Sequence, residues 1–250
     1  MPETLAGLLA MEGLGWIAAA TFMAGLVRGF AGFGTAMIYL PVATQFLPPF
    51  WALTTLVLMD IGGPLPNLRG AWAVVNRRDL GLLLAGAALA MPLGLWALSL
   101  LDPEFFRWAV SLLALSMLAI LITGLRYRGS VNAPMVAGTG FVGGFLGGVA
   151  GVPGPPVILF YMARPLAAAV IRATTLLYLF GYDLLMIGYL SGMGRMEALP
   201  AVLGLALTLP NLLGNWLGGR MFVPGYERLY RAVAYTVILA SALSGLPVWS

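Results

Sequence analysis

The sequence contains no cysteine, no histidine and no lysine, and charged residues make up only 9% of its 250 positions. Without cysteine the chain cannot form disulfides, thiolate metal sites or a cysteine nucleophile. Because histidine is absent too, the usual ligand sets of zinc and haem are missing. We therefore expect neither a metal site nor a cofactor.

The chain is instead strongly apolar, with hydrophobic residues at 61% of positions. Ordinary soluble domains have about 45–50% apolar and about 25% charged residues. A soluble fold of this composition would lack a polar shell to cover its core. The composition therefore predicts an all-α, polytopic helical membrane protein whose surroundings are the lipid bilayer.

The formal net charge of +4 comes from thirteen basic residues, all of them arginine. Nucleic-acid binding requires basic residues clustered on one face, whereas these arginines are scattered through short polar gaps. We therefore expect no nucleic-acid partner. One such gap, Arg77–Asp79, is expected to be a solvated loop without chemistry.

Apolar segments recur along the whole chain with short polar or Gly/Pro breaks between them. A helix needs about 20 residues to cross the hydrocarbon core, and the segments at 34–48 and 154–164 are short for a crossing. The predicted segments are 13–30, 34–48, 51–68, 80–100, 106–125, 133–150, 154–164, 170–190, 197–217 and 229–248.

The second five segments echo the first five, which predicts two repeats, 1–128 and 129–250. Gly25, Gly29, Ala31 and Gly32 recur 119 positions later as Gly144, Gly148, Ala150 and Gly151. Small residues at this spacing are typical of close helix packing in membranes. We expect Gly25, Gly29, Gly144 and Gly148 to serve that packing.

The arginines also predict orientation, because cytoplasmic loops are enriched in Lys and Arg. If the second repeat is inverted and the 69–78 loop is cytoplasmic, only Arg107 and Arg195 of the thirteen arginines lie outside. With four crossings in each half the bias would nearly vanish. The pattern favours inverted repeats with both termini outside.

Inverted repeats with short, Gly/Pro-broken segments at matching positions are typical of secondary transporters. We expect Gly32–Thr35 and Gly151–Pro155 to be the turning points of two helical hairpins. The helix that starts after each turn exposes N–H groups that favour anions. The predicted substrate-binding residues are Arg28, Phe33, Gly34, Thr35, Gly151, Val152, Pro153 and Gly154.

The charged residues within spans have alternative interpretations. Arg28 is either an anchor that reaches the membrane interface or a cation beside the anion site. Asp60 and Asp183 are intramembrane acids, and each either binds a coupling proton or sodium ion or neutralises an arginine. Asn211 either faces a cavity or bonds between helices.

Two stretches together suggest a family. GLVRGFAGFGTAMIYLPV (25–42) and its echo GGFLGGVAGVPGPPVILFYM (143–162) resemble the paired signature of the sulfite exporter TauE/SafE family, also called TSUP. The resemblance implies an integral membrane transporter of sulfur-containing anions such as sulfite, sulfoacetate and related sulfonates. It fixes neither the substrate nor the direction of transport.

We therefore expect a secondary transporter of a small anion in the bacterial cytoplasmic membrane, working by alternating access around the two hairpin tips. An ion gradient would supply the energy, since the glycine spacing matches no nucleotide-phosphate loop. The alternatives are an anion channel and a transporter of a small carboxylate. An enzyme is disfavoured because the acids are isolated, and a homodimer is left open.

Overall fold

The computed structural model describes residues 7, 8, 10–123, 132–162, 164, 166–221, 223 and 225–248. Every regular element in these residues is a helix, and they contain no strand. The predicted all-α class is therefore confirmed. The predicted repeat boundary at 128 and 129, with Arg126 and Arg128, lies outside the described residues.

Eleven α-helices follow one another in the described ranges, and a 3-10 turn, Leu65–Asn67, precedes the fourth. They are α1 Leu14–Ala31, α2 Thr35–Ala43, α3 Pro49–Asp60, α4 Leu68–Val74, α5 Arg77–Ser99, α6 Pro103–Thr123, α7 Ala133–Ala150, α8 Gly154–Met162, α9 Ala168–Gly192, α10 Ala198–Met221 and α11 Glu227–Gly245. Six of these, α1, α5, α6, α7, α9 and α10, are long and apolar enough to cross a membrane. The prediction of a polytopic membrane protein is confirmed.

The two short helices, α2 and α8, have nine residues each. At 1.5 Å per residue each is about 14 Å long, roughly half of the 30 Å hydrocarbon core. Each follows a break that contains left-handed glycine, Gly32 and Gly34 in the first case and Gly151 in the second. Both helices pack against the long helix before them, so the predicted Gly/Pro-broken hairpins are confirmed.

The single span predicted at 51–68 is wrong. Helix α3 ends at Asp60, and a turn through Gly62, Gly63 and Pro64 separates it from the 3-10 segment and α4. Proline disfavours helical backbone at the residue before it, and two adjacent glycines weaken a helix further. The break leaves Asp60 at a helix terminus, whereas α9 runs unbroken for 25 residues.

Glycines bring two pairs of long helices into backbone contact, α7 with α5 and α1 with α10. A Cβ atom on Gly144 would lie 2.5 Å from the Ala87 Cα, and one on Gly29 would lie 2.9 Å from the Gly218 Cα. Both distances are too short for a side chain, so the predicted packing role of these glycines is confirmed.

In both contacts, a helix of one predicted repeat packs on a helix of the other repeat. Helices α1 and α7 open the two halves, and α5 and α10 are the next-to-last long helices of each. Helix α1 packs on α10, the counterpart of α5, and α7 packs on α5, the counterpart of α10. This reciprocal pairing supports a duplicated chain. The inverted orientation stays a prediction.

Asp79 is not part of a solvated loop, and that expectation is wrong. It lies in the first turn of α5, where its side chain is buried. Its carboxylate accepts hydrogen bonds from Arg164 Nη1 at 2.5 Å and from the Tyr161 hydroxyl at 3.0 Å. The cation comes from 85 residues away, which the local sequence could not indicate.

We expect Gly144→Ala to lower the free energy of unfolding by about 1–3 kcal/mol, because the new methyl group would push α5 and α7 apart. Gly138→Ala is the matched control on the same helix, since a Cβ there meets nothing within 4 Å. Replacing that helical glycine should be neutral or stabilise by up to about 1 kcal/mol. Thermal unfolding in detergent would measure both, and equal effects would contradict the packing role.

We expect Asp79→Asn to lower the free energy of unfolding by about 2 kcal/mol, because Arg164 would lose its partly buried counterion. Glu104→Gln is the control, since Glu104 also lies in the first turn of a helix but is exposed. It should change stability by no more than about 0.5 kcal/mol. A thermal shift of the same size in both variants would show that the Asp79–Arg164 ion pair contributes no more stability than an exposed carboxylate in the first turn of a helix.

Candidate functional site

A cavity of about 90 Å³ lies between the two helix breaks. All ten residues predicted to bind substrate or a coupling ion line it, namely Arg28, Phe33, Gly34, Thr35, Asp60, Gly151, Val152, Pro153, Gly154 and Asp183. One water needs about 10–15 Å³ of such a cavity, so the space can hold one small ligand. The structure brings these residues together, and their roles stay predictions.

The first wall of the cavity is the N-terminus of α2. The Ile38 N–H donates to the Gly34 carbonyl at 3.1 Å as the first helical hydrogen bond. The preceding amides of Thr35, Ala36 and Met37 have no acceptor within the described ranges, and all three residues line the cavity. Amides at a helix N-terminus carry a partial positive charge that attracts anions.

The opposite wall, at the N-terminus of α8, has a different character. Its first three residues are Gly154, Pro155 and Pro156, and proline has no N–H. Only the Gly154 amide remains as a donor in this first turn. The two breaks match in position, but α8 offers the cavity an apolar surface rather than a set of amides.

Arg28 faces the cavity from the last turn of α1. Its Nη1 lies 2.7 Å from Asp60 Oδ1 and donates to the Thr35 hydroxyl oxygen at 3.4 Å. Arg28 therefore lies beside the cavity, and its role as a cation for an anion or as an interface anchor stays a prediction. Nη1 makes both contacts, and Nε and Nη2 make no hydrogen bond to the residues that the structure describes.

Asp60 is held in place from two sides. Besides Arg28, it accepts a hydrogen bond from Asn211 Nδ2 at 3.1 Å. Asn211 is 2% exposed, lies on α10, and also donates to the Met59 carbonyl at 3.1 Å. Of the two interpretations of Asn211, bonding between helices is the one that the structure shows.

Asp183 differs from Asp60 in having no partner. Its side chain is buried at 8% exposure and lines the same cavity. Within the described ranges it makes no ion pair and no hydrogen bond. The hydroxyl of the adjacent Tyr182 is buried and also lacks a partner there. The two intramembrane acids are thus chemically distinct.

The rest of the lining is apolar, and sequence reasoning did not single it out. These side chains come from α3, α6, α8 and α9 and would surround the uncharged part of a ligand. No sequence signal separates them from ordinary apolar residues of membrane helices. They are Leu56, Met117, Leu121, Ile158, Leu159 and Leu179.

Comparison with known proteins identifies the family of the chain. A family model described as Sulfite exporter TauE/SafE matches residues 17–245, which include both helix breaks and every lining residue of the cavity. Searches of curated proteins and of solved structures gave no match. The match covers nearly all of the chain and agrees with its multi-pass helical structure. The chain belongs to the sulfite exporter TauE/SafE family of membrane transporters.

Proposed function

We propose that this protein is a secondary transporter of a small sulfur oxyanion, which binds in the cavity between the two helix breaks. The observation that carries the proposal is the meeting of the α2 amides and Arg28 in one cavity. The chain would lie in the cytoplasmic membrane with both termini outside. Family membership supports the sulfur-anion class, since members are described as sulfite exporters.

The oxyanion head would sit at the N-terminus of α2. Its oxygens would accept hydrogen bonds from the amides of Thr35, Ala36 and Met37 and from the unused nitrogens of Arg28. Hydrogen bonds that involve an ionised group are roughly twice as strong as neutral ones. A tetrahedral or pyramidal oxyanion presents several acceptors, so it can use this set of donors better than a halide can.

The charge and shape of the cavity favour a singly charged anion with a small apolar part. Arg28 is the only basic residue in the lining and already has Asp60 as its counterion. A dianion would therefore bring one more uncompensated charge than a monoanion into a buried site. The apolar residues from α6 and α9 would pack on a short alkyl group, as a sulfonate has.

Alternating access would depend on the two half-helices. Because α2 and α8 do not cross the membrane, each could move with its own repeat and open the cavity to one side. An ion gradient would drive transport. A channel would need the same pore but would not need to bind its substrate. The enclosed hydrogen-bond donors around Arg28 favour a binding site over a channel.

We expect purified protein to gain thermal stability from a short alkyl sulfonate or from sulfite. A ligand that binds only the folded state stabilises it by mass action, by about 2.7 kcal/mol at a hundred times its Kd. The measurement is a thermal-shift series with ethanesulfonate, sulfite, thiosulfate and acetate against chloride at equal ionic strength. A flat response to all four would contradict the anion site.

Counterflow in liposomes separates transport from channel conduction. Internal ethanesulfonate should accelerate uptake of labelled ethanesulfonate through a transporter, because the loaded carrier returns faster than the empty one. Uptake without such acceleration, following only the electrochemical gradient, would support the channel instead.

We expect Thr35→Val to weaken ethanesulfonate binding about tenfold, because Arg28 would lose the hydroxyl that orients it beside the α2 amides, and a hydrogen bond to a charged group contributes about 1.5 kcal/mol. The change keeps the shape of the side chain but removes the hydroxyl oxygen that accepts a hydrogen bond from Arg28 Nη1. Thr35→Ser restores the hydroxyl and should restore affinity. Titration calorimetry would measure all three proteins, and wild-type affinity in the valine variant would place the anion elsewhere.

A further inference from the structure

We infer that, above the pH at which Asp183 ionises in the empty cavity, Asp183 takes up one proton when the cavity binds one monovalent anion, so that the two cross the membrane together. The inference rests on the proposed function and deepens it, because it assigns the coupling ion and the residue that carries it. Three charged side chains line one cavity, and two of them, Arg28 and Asp60, are paired with each other.

Two carboxylates and one guanidinium line the cavity, namely Asp60, Asp183 and Arg28. A buried carboxylate without a partner is costly and is relieved either by pairing or by protonation. The charge of Asp60 is stabilised by pairing, since Asp60 contacts both Arg28 and Asn211. A proton on Asp60 would weaken its ion pair with Arg28, so Asp183 is the better carrier.

Asp183 makes no such contact within the described ranges, because the acids of the helices that pack on α9 are paired with other residues and the free charges of those helices lie outside the cavity lining. Helices α3, α4, α5 and α8 pack on α9. Asp60 of α3 is engaged by Arg28, Asp79 of α5 is engaged by Arg164, and the Tyr161 hydroxyl of α8 donates to Asp79. The remaining charged side chains of α4 and α5 are absent from the cavity lining, and they are Arg69, Arg77 and Arg78.

Apart from Arg28, Asp60 and Asp183, the titratable group that lines the cavity within the described ranges is Tyr182, on the same helix as Asp183. Its hydroxyl has no partner in the described part of the chain, as is also true of Tyr178 one turn earlier. A neutral hydroxyl cannot balance the charge of a carboxylate. Asp183 is therefore the one lining group whose charge can change without breaking a contact.

The charges balance when one proton accompanies one anion. With Arg28, Asp60 and Asp183 all ionised, the empty cavity has a net charge of −1. A monovalent anion alone would bring this to −2 in a site of low dielectric. A proton from the water on the same side, bound to a carboxylate oxygen of Asp183, returns the net charge to −1, and both ligands leave on the other side.

This coupling gives the affinity a definite pH dependence. The loaded cavity binds one more proton than the empty one, so low pH favours binding. Above the pH at which Asp183 ionises in the empty protein, affinity should fall about tenfold for each pH unit. The transport step itself moves no net charge.

The test is calorimetric binding of ethanesulfonate to the full-length protein across pH. A sulfonate is the right probe because it stays singly charged throughout, whereas sulfite titrates itself. The wild type should lose affinity as pH rises. Asp183→Asn should bind at all pH values with the affinity that the wild type shows at low pH. Glu104→Gln, an acid outside the cavity, should keep the wild-type profile.

The outcomes separate this inference from the proposed function. If Asp183→Asn keeps the wild-type pH profile, the inference is wrong and the anion site stands. If the wild type binds no ethanesulfonate, sulfite, thiosulfate or acetate at any pH, both are wrong.

A second measurement needs no variant, since an ethanesulfonate gradient across wild-type proteoliposomes should move protons one for one. A pH dye that reports no proton movement would overturn the coupling.

Discussion

The ion pair between Arg28 and Asp60 is the interaction on which the arrangement of the cavity depends. It joins the last turn of α1 to the end of α3, and through Thr35 it reaches the start of α2. A charge in this setting needs a partner, so the pair fixes where three helix ends meet. It also engages the arginine of the cavity lining, so that Asp60 is paired whereas Asp183 makes no ion pair within the described ranges.

The glycine contacts make this pair possible. A Cβ on Gly25 would lie 2.9 Å from Asn211 Oδ1, so only glycine lets α10 bring Asn211 to Asp60. The small-residue spacing that packs α1 on α10 thus also sets the hydrogen bonds of a cavity residue. Packing and electrostatics are linked here by a single side chain, and a larger residue at that position would disturb both.

The two helix breaks show how a repeated fold can hold an asymmetric site. Both place a left-handed glycine before a nine-residue helix. The first presents three amides and an arginine, whereas the second presents prolines and one amide. In the proposed binding mode the anion head lies at the first break, where the donors are gathered, and the second break supplies shape and apolar contact.

The sequence by itself determined the membrane-embedded helical class, the two short helices, the break positions and the packing glycines. These follow from hydropathy and from Gly and Pro, whose effects act within a few residues. It also named the ten residues that share the cavity, because both breaks and both acids stand out in apolar surroundings. Only the tertiary structure decided that Asp60 rather than Asp183 pairs with Arg28, that Asn211 joins it from 151 residues away, and that Asp79 meets Arg164. Such pairings depend on which helices lie side by side, and local sequence patterns do not determine that.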